Sequence, residues 1–488
     1  MSAQRLAQLA AALWLLPAAA AADMDLNGVV ATENFIGVRD GEFFDFRNAN
    51  WFQLRIQAEP HNQVRARANL ELRNTNFTQV ETIDQLWDRG RVEPISWRIN
   101  EAYMDLYGFL LDTDWALLDL RVGKQVLAWG EADGFNPTNK FDPLDLENPH
   151  DFKEKLGNVA LKATVYAGDD LFSIEGVVVP RFLPSVLPVD LFLGDDVLNN
   201  PLMPDFDMAA LGQGLPPGFE RYALQLEQPG YEVLNTHNPA ARVQGIMGGA
   251  RIRWALWGFD WTISYARARE SIPVPKRVEA SAELIAADDP GCADEDGCIA
   301  LAFDEVKLIY PWVHVLGFNL RGSIWDIGVW GEAALIFPQG VELATVARDP
   351  LGGELAVPGL TSIDDEPYTK WVLGAEYTFS GGYFVNLQWV HGFFVEMSGH
   401  ALHDYLFLVF RKAWLADSLE LEINLGGELD HNRDREALGW LLNTQLSYAP
   451  YDGSKIVLGY LMSRGESGTT FDMFEQLDQA YLKFRADF

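Results

Sequence analysis

The sequence predicts an all-β protein: a single transmembrane antiparallel β-barrel of about eighteen strands, with sixteen as the alternative, carrying short periplasmic turns and long extracellular loops. Three observations predict it. Apolar and polar residues alternate with period two in segment after segment along the chain. Short and long connections between those segments alternate without a break. No later stretch offers the ~18 uninterrupted apolar residues that a membrane helix needs. In hydrocarbon every backbone polar group must be satisfied within the structure, so an exported chain without spanning helices has one good membrane solution, a closed barrel.

The first residues predict export. Arg5 supplies a short positive region, residues 6–16 are apolar but too short to span, and residues 18–22 are small, as at a signal-peptidase site. Residues 1–22 are therefore expected to be a signal peptide and 23–488 the barrel. The strands follow. Phe52, Leu54 and Ile56 alternate with Gln53, Arg55 and Gln57; Ala66, Ala68, Leu70 and Leu72 alternate with Arg67, Asn69, Glu71 and Arg73. Trp371, Leu373, Ala375 and Tyr377 alternate with Gly374, Glu376 and Thr378, and Leu419, Leu421 and Ile423 with Glu420, Glu422 and Asn424. At the end Ala480, Leu482, Phe484, Ala486 and Phe488 share one face and Tyr481, Lys483, Arg485 and Asp487 the other. Such an ending, with an aromatic residue last, resembles the closing strand and sorting signal of bacterial outer-membrane barrels.

Short turns are expected at 59–62, 111–114, 168–170, 257–258, 325–326, 380–382, 416–417 and 451–453. Between them lie longer connections at 39–49, 76–94, 127–157, 182–240, 270–303, 338–366, 394–402, 430–437 and 464–477. A soluble propeller or sandwich would show a fixed repeat, and the sequence has none.

Composition limits the function. A net charge of −33 would repel a polyanion, so no nucleic-acid partner is expected. Sixteen tryptophans are enough to furnish interfacial girdles. Cys292 and Cys298, the only cysteines, are expected to form a local disulfide across an acidic loop tip. The eight histidines, His61, His150, His237, His314, His391, His400, His403 and His431, sit in no G-x-S-x-G or H-E-x-x-H context. His400 and His403 read as solvated loop residues and His391 as interfacial. No catalytic residues, no metal site and no cofactor are expected, and the protein is not expected to be an enzyme.

If the apolar faces meet lipid, the polar faces line the bore. The basic candidates are Arg55, Arg65, Arg67, Arg73, Arg121, Arg251 and Arg253, joined by Lys483 and Arg485 on the closing strand. The acidic candidates are Glu101, Asp105, Glu332, Glu376, Glu420 and Glu422. These charges either set a transverse field across the pore or pair with each other across strands. A barrel of 16–18 strands leaves an aqueous channel unless something plugs it. Residues 127–157, with Trp129, Glu131, Asp133 and Asn136, are expected to fold inward as a constriction, and 182–240 to cap the outer mouth. Too few residues precede the first strand for the separate plug of a TonB-dependent receptor.

Several stretches resemble an uncharacterised family of Gram-negative outer-membrane proteins known only as a domain of unknown function. The clearest runs Arg121-Val122-Gly123-Lys124-Gln125-Val126-Leu127-Ala128-Trp129-Gly130-Glu131-Ala132-Asp133, followed by Asn136-Pro137 and Asp142-Pro143. Others are Tyr310-Pro311, Trp330-Gly331-Glu332-Ala333-Ala334, Leu387-Gln388-Trp389-Val390-His391-Gly392 and the tail from 440 to 488. Members are similar in outline to alginate-export and substrate-selective porin barrels, which implies transport across the outer membrane of a Gram-negative bacterium. The implied partners are outer-membrane lipid and lipopolysaccharide, the barrel-assembly machinery reading the strand that ends in Phe488, and an efflux-type transporter. The expected function is a porin-like channel that passes or helps export a solute through a charged aqueous lumen. A hydrophobic-solute channel or outer partner of an efflux system, and a surface structural or adhesion barrel, are the alternatives.

Overall fold

In a computed structural model the described residues are 23–39, 42–75, 95–113, 115–146, 154–168, 171–186, 222–226, 234–236, 245–285, 298–351, 353–355, 360–429, 438–466 and 469–488. The expected signal peptide, Cys292 and most of 182–240 lie outside them.

Eighteen long strands form one closed antiparallel barrel. The first six are β1 (Asp23–Arg39), β2 (Glu42–His61), β3 (Val64–Thr75), β4 (Ile95–Leu106), β5 (Ala116–Gln125) and β6 (Asn158–Ala167). Next come β7 (Phe172–Val179), β8 (Met247–Leu256), β9 (Phe259–Arg269), β10 (Trp312–Ile324), β11 (Ile327–Pro338) and β12 (Tyr368–Thr378). The last are β13 (Tyr383–His391), β14 (Asp404–Trp414), β15 (Leu419–Leu429), β16 (Leu438–Tyr448), β17 (Ser454–Gly465) and β18 (Gln479–Asp487). Each strand pairs with the next, and β18 closes on β1 from Val29↔Asp487 to Gly37↔Gln479. The seam is locked by reciprocal backbone bonds between Gly28 and Phe488 of 2.8 and 3.0 Å. A Cβ at Gly28 would strike the Phe488 ring at 2.1 Å, so only glycine leaves room for that ring, which stacks on Phe52.

The period-two pattern sorts side chains to two solvents. On β9 and β10 Thr262, Ser264 and Asn319 are buried inward, while Ile263, Leu316 and Phe318 are exposed outward. The same holds around the ring: Val30, Leu335, Leu373, Leu387, Leu406, Leu425, Leu446, Leu458 and Phe484 all face out and are exposed. Soluble monomers rarely expose a contiguous apolar patch beyond a few hundred Å². A belt that encircles the molecule needs hydrocarbon around it, and closure leaves no unpaired strand edge there. Trp115, Trp257, Trp325 and Tyr451 protrude at or beside the short turns, at the level where amphipathic rings meet headgroups. At Trp257-Gly258 both residues have positive φ, +58° and +77°, as a two-residue hairpin following the strand twist requires.

Three connections differ from the sequence reading. Residues 42–49 were expected within the long connection 39–49, yet they extend β2 and pair with β1 through Arg39↔Glu42, leaving 40–41 between the strands. The loops at 270–303 and 338–366 are also far from irregular. Val274–Ile285 and Cys298–Ile309 form a hairpin, Val341–Arg348 adds to it in parallel, and short strands including Ala223–Leu226 complete a seven-stranded sheet at the long-loop end. Val278, Ala280, Ala282, Ile299, Leu301 and Phe303 are buried there, and Cys298 is disulfide-bonded.

Candidate functional site: the barrel interior

The segment after β5 turns into the barrel. Positive φ at Ala128, Gly130 and Gly134 (+51°, +94° and +95°) folds it into successive tight turns. Its base is closed by Asp142, whose carboxylate accepts from the Leu127 and Ala128 amides at 2.8 Å each and from Asn139 Nδ2 at 2.9 Å. Burial pushes the Asp142 carboxyl up from its ordinary range, and these three donors oppose that shift.

Two inward carboxylates fasten the segment to the wall. Glu332 on β11 is 2% exposed. One of its oxygens accepts from Thr138 N at 2.9 Å and Thr138 Oγ1 at 2.7 Å. The other accepts from Glu131 N at 2.9 Å, Ala132 N at 3.2 Å and Asn136 Nδ2 at 3.2 Å. Gly130 is required at this point, because a Cβ would lie 2.6 Å from Glu332 Oε2. On β7, Glu175 accepts from Trp129 Nε1 at 2.8 Å and pairs with Arg251 Nε at 3.0 Å; Lys162 and Arg253 stand at 3.9 and 4.0 Å. Farther along, Asp133 O accepts from Gln388 on β13, and Phe135 packs against Phe393, just past β13, and Phe407 on β14. Arg98 on β4 reaches Asp145 at 3.0 Å. Residues 127–146 therefore lean along the wall from β5 to β14.

The sequence-predicted site residues are placed as follows. Trp129, Glu131, Asp133 and Asn136 all lie on this inward segment, with the Glu131 carboxylate 3.7 Å from Arg321. Strands nine apart face each other in a ring of eighteen, so β2 and β3 face β11 and β12. Arg55, Arg65, Arg67 and Arg73 thus stand across the bore from Glu332 and Glu376. Most of these charges are nevertheless held by near neighbours. Arg65 pairs with Glu59 at 2.8 Å, Arg67 with Glu101 at 3.6 Å, Arg73 with Glu71, and Arg121 with Asp105 at 2.5 Å while stacked over Tyr103. Lys483 meets Glu33 at 3.5 Å, Arg485 meets Asp487 at 2.7 Å, and Glu422 meets Arg411 at 3.1 Å. Arg55 donates to Gln53 at 2.7 Å. Glu420 shares the inward face of β15 with Glu422.

Because the segment lies along β5–β14, the remaining interior is bounded by β15–β18 and β1–β4. Arg65, Arg67 and Arg485 keep 37–42% of their side-chain surface exposed there, toward the short-turn mouth.

Sequence reasoning missed several participants. Arg98, Lys140, Asp145, Glu154 and Glu270 carry ion pairs between the 127–157 connection and the wall, Asp142 and Lys155 bond within that connection, and Lys370 donates to the Phe393 carbonyl. Strand alternation already put Lys370 inside; nothing local announced the loop lysines. Glu154 is pushed up to about 7 by burial and by Asp145, against Arg73 and Arg98. His403 differs from the solvated reading: its Nδ1 lies 2.9 Å from Glu396 and 3.5 Å from Glu428, and Glu396 also accepts from Tyr405 OH. His391 stacks on Trp371 with its Nδ1 3.0 Å from Asp404. Among the described residues no group of three or more His, Cys, Asp or Glu could hold a metal ion.

Residues 43–393 match the family described as "Protein of unknown function (DUF1302)". The chain belongs to the DUF1302 family. The match begins near the start of β2 and ends just past β13, so it contains both carboxylate anchors and the whole inward segment. No curated protein matches the sequence. Among solved structures, this DUF1302 chain is similar to OccAB4 of Acinetobacter baumannii, with a TM-score of 0.46, 7% identity and coverage of 95% of this chain and 97% of that one. It is likewise similar to OpdK of Pseudomonas aeruginosa, solved with vanillate (0.46, 9%, 96% and 98%), and to OmpF of Salmonella typhi, solved with daunomycin (0.40, 9%, 96% and 98%).

Proposed function

We propose that this protein is a porin-like channel of a Gram-negative outer membrane, passing or helping to export a solute through a charged aqueous lumen. One observation carries the reading: the same strands that present an unbroken apolar belt outward present Gln53, Arg55, Arg67, Asn69, Glu101 and Asp105 inward, in a ring with no edge. A membrane protein that only needed an anchor would have no use for a wetted, charged interior of eighteen-strand girth. The inward segment narrows that interior from one flank, so passage is governed by size and by the arginine-rich wall of β2 and β3.

The test is reconstitution of the purified barrel in a planar bilayer. Discrete ohmic conductance steps are the expected result, and the reversal potential in a potassium chloride gradient reports which ion the wall favours. Correctly folded barrels that insert and yet pass no current would overturn the reading.

A further inference from the structure

A cavity of about 80 Å³ lies between the inward segment and the wall at β9, β12 and the start of the β13–β14 connection. A water needs roughly 10–15 Å³ of such space, so the cavity has room for about five waters or one small polyatomic ion. Lys140, Lys155, Arg269 and Lys370 line it, against only two carboxylates, Asp142 and Glu270.

Those carboxylates are already engaged. Both oxygens of Glu270 bind Lys140 Nζ at 2.9 Å, and Asp142 holds the base of the segment through the three donors described above. Glu396 is the next negative charge that bears on Lys370, and it is bonded to the Phe393 amide, His403 and Tyr405.

The other two lysines donate only to neutral acceptors. Lys370, 4% exposed, donates to the Phe393 carbonyl. Lys155 donates to Asn136 Oδ1 at 2.5 Å. Among the described residues neither forms an ion pair; Asp142 and Glu332 bear on Lys155 only at longer range. Arg269 borders the cavity, but its guanidinium lies over the ring of its cross-strand neighbour Trp312, 4.2 Å from the centroid, on the outward face of the barrel, and donates to the Tyr310 carbonyl at 2.6 Å. An ammonium withdrawn from water without a counter-charge is costly to the fold, and two of them beside one small space share that cost until an anion enters. They come from separate elements: strand β12 and the returning arm of the segment.

We propose that this cavity binds a small oxyanion, a carboxylate or a phosphate, through Lys370 and Lys155. The site stands whether or not the barrel conducts, since binding needs the docked segment and not an open bore.

The test is calorimetric titration of the purified, detergent-solubilised protein with inorganic phosphate and, separately, with acetate. Wild type is expected to bind at least one of them saturably. Lys155→Gln and Lys370→Gln are each expected to weaken that binding at least ten-fold, whereas Arg321→Gln, which removes a neighbouring lumen charge outside the cavity, leaves it unchanged. Should Lys370→Gln fail to fold, Lys155→Gln decides, because its ammonium sits on the segment and not on a strand. Absence of saturable binding of both anions by wild type, or undiminished binding by Lys155→Gln, would overturn the proposal.

Discussion

Replacing Glu332 by glutamine should release the middle of the inward segment. The carboxylate accepts five hydrogen bonds, two on one oxygen and three on the other. An amide nitrogen turned toward Thr138 opposes the Thr138 N–H, one turned the other way opposes three donors, and every surviving bond loses its charge, so the equivalent of about two charge-assisted bonds is lost. Hydrogen bonds to a charged group contribute about 1.5–3 kcal/mol each, which puts the loss near 3–6 kcal/mol. The base of the segment keeps its own anchors at Asp142 and Glu175, so the barrel and the segment's root stay in place while 131–138 swing free. Single-channel conductance and its open-channel noise should both rise. Gln388→Ala is the control: it removes one neutral 3.1 Å bond to the Asp133 carbonyl, about 0.5–1.5 kcal/mol, and should leave the conductance as it was. A Glu332→Gln barrel that folds, inserts and conducts like wild type would refute the argument that this carboxylate holds a constriction.

Three further outcomes follow from the same geometry. Glu175→Gln leaves Arg251, Lys162 and Arg253 without their shared counter-charge and should cost about 3–5 kcal/mol in denaturant unfolding, part of it recovered when Arg251→Met is added. Ile263→Arg, on the outward face between Ile252 and Phe318, should destabilise the protein in lipid vesicles by about 2–4 kcal/mol if it lies at mid-bilayer depth; a neutral effect would show that this face does not meet hydrocarbon. Glu154 sets a pH dependence: its folded pKa of about 7 lies above its ordinary value of 4.5, so its contribution is fully present below about pH 4.5 and is lost as pH rises through 7. Thermal stability should therefore decline between pH 5 and 8 more steeply in wild type than in Glu154→Gln, and equal slopes would sink the assignment.

What the sequence made legible was the side on which each residue lies. Alternation is a property of each strand alone, so Leu482 out and Lys483 in could be read without knowing any neighbour. It also turned Glu332 and Glu376 toward the bore. What alternation cannot supply is the partner across space. Arg121 was legible as inward, but its bond to Asp105 depends on the β4–β5 register, which places those two side by side. The carboxylate of Glu332 reads as a free pore charge until residues 131–138, nearly two hundred positions earlier, are laid against it.

The second sheet was missed for a different reason. In Val274–Ile285 the alternate positions are Arg277, Glu279, Ser281 and Glu283, and the intervening ones are largely small, as at Ala280 and Ala282. Such a strand looks solvated from composition, although its inner positions are buried against a hairpin partner. Residues 42–49 were lost similarly, because Asp45, Arg47 and Asn48 resemble a loop until the pairing with β1 is known. A barrel's lipid-facing belt is thus written in each strand, while its interior depends on contacts between distant segments. In this protein the chemistry gathers where one such segment, 127–146, meets the wall. The charges there are distinctive less for their number than for which of them lack a counter-ion. That property belongs to the assembled interior alone, and Lys370 shows it: an inward lysine by alternation becomes a buried cation in search of an anion only once Glu270 has been taken by Lys140 and Glu396 by His403 and Tyr405.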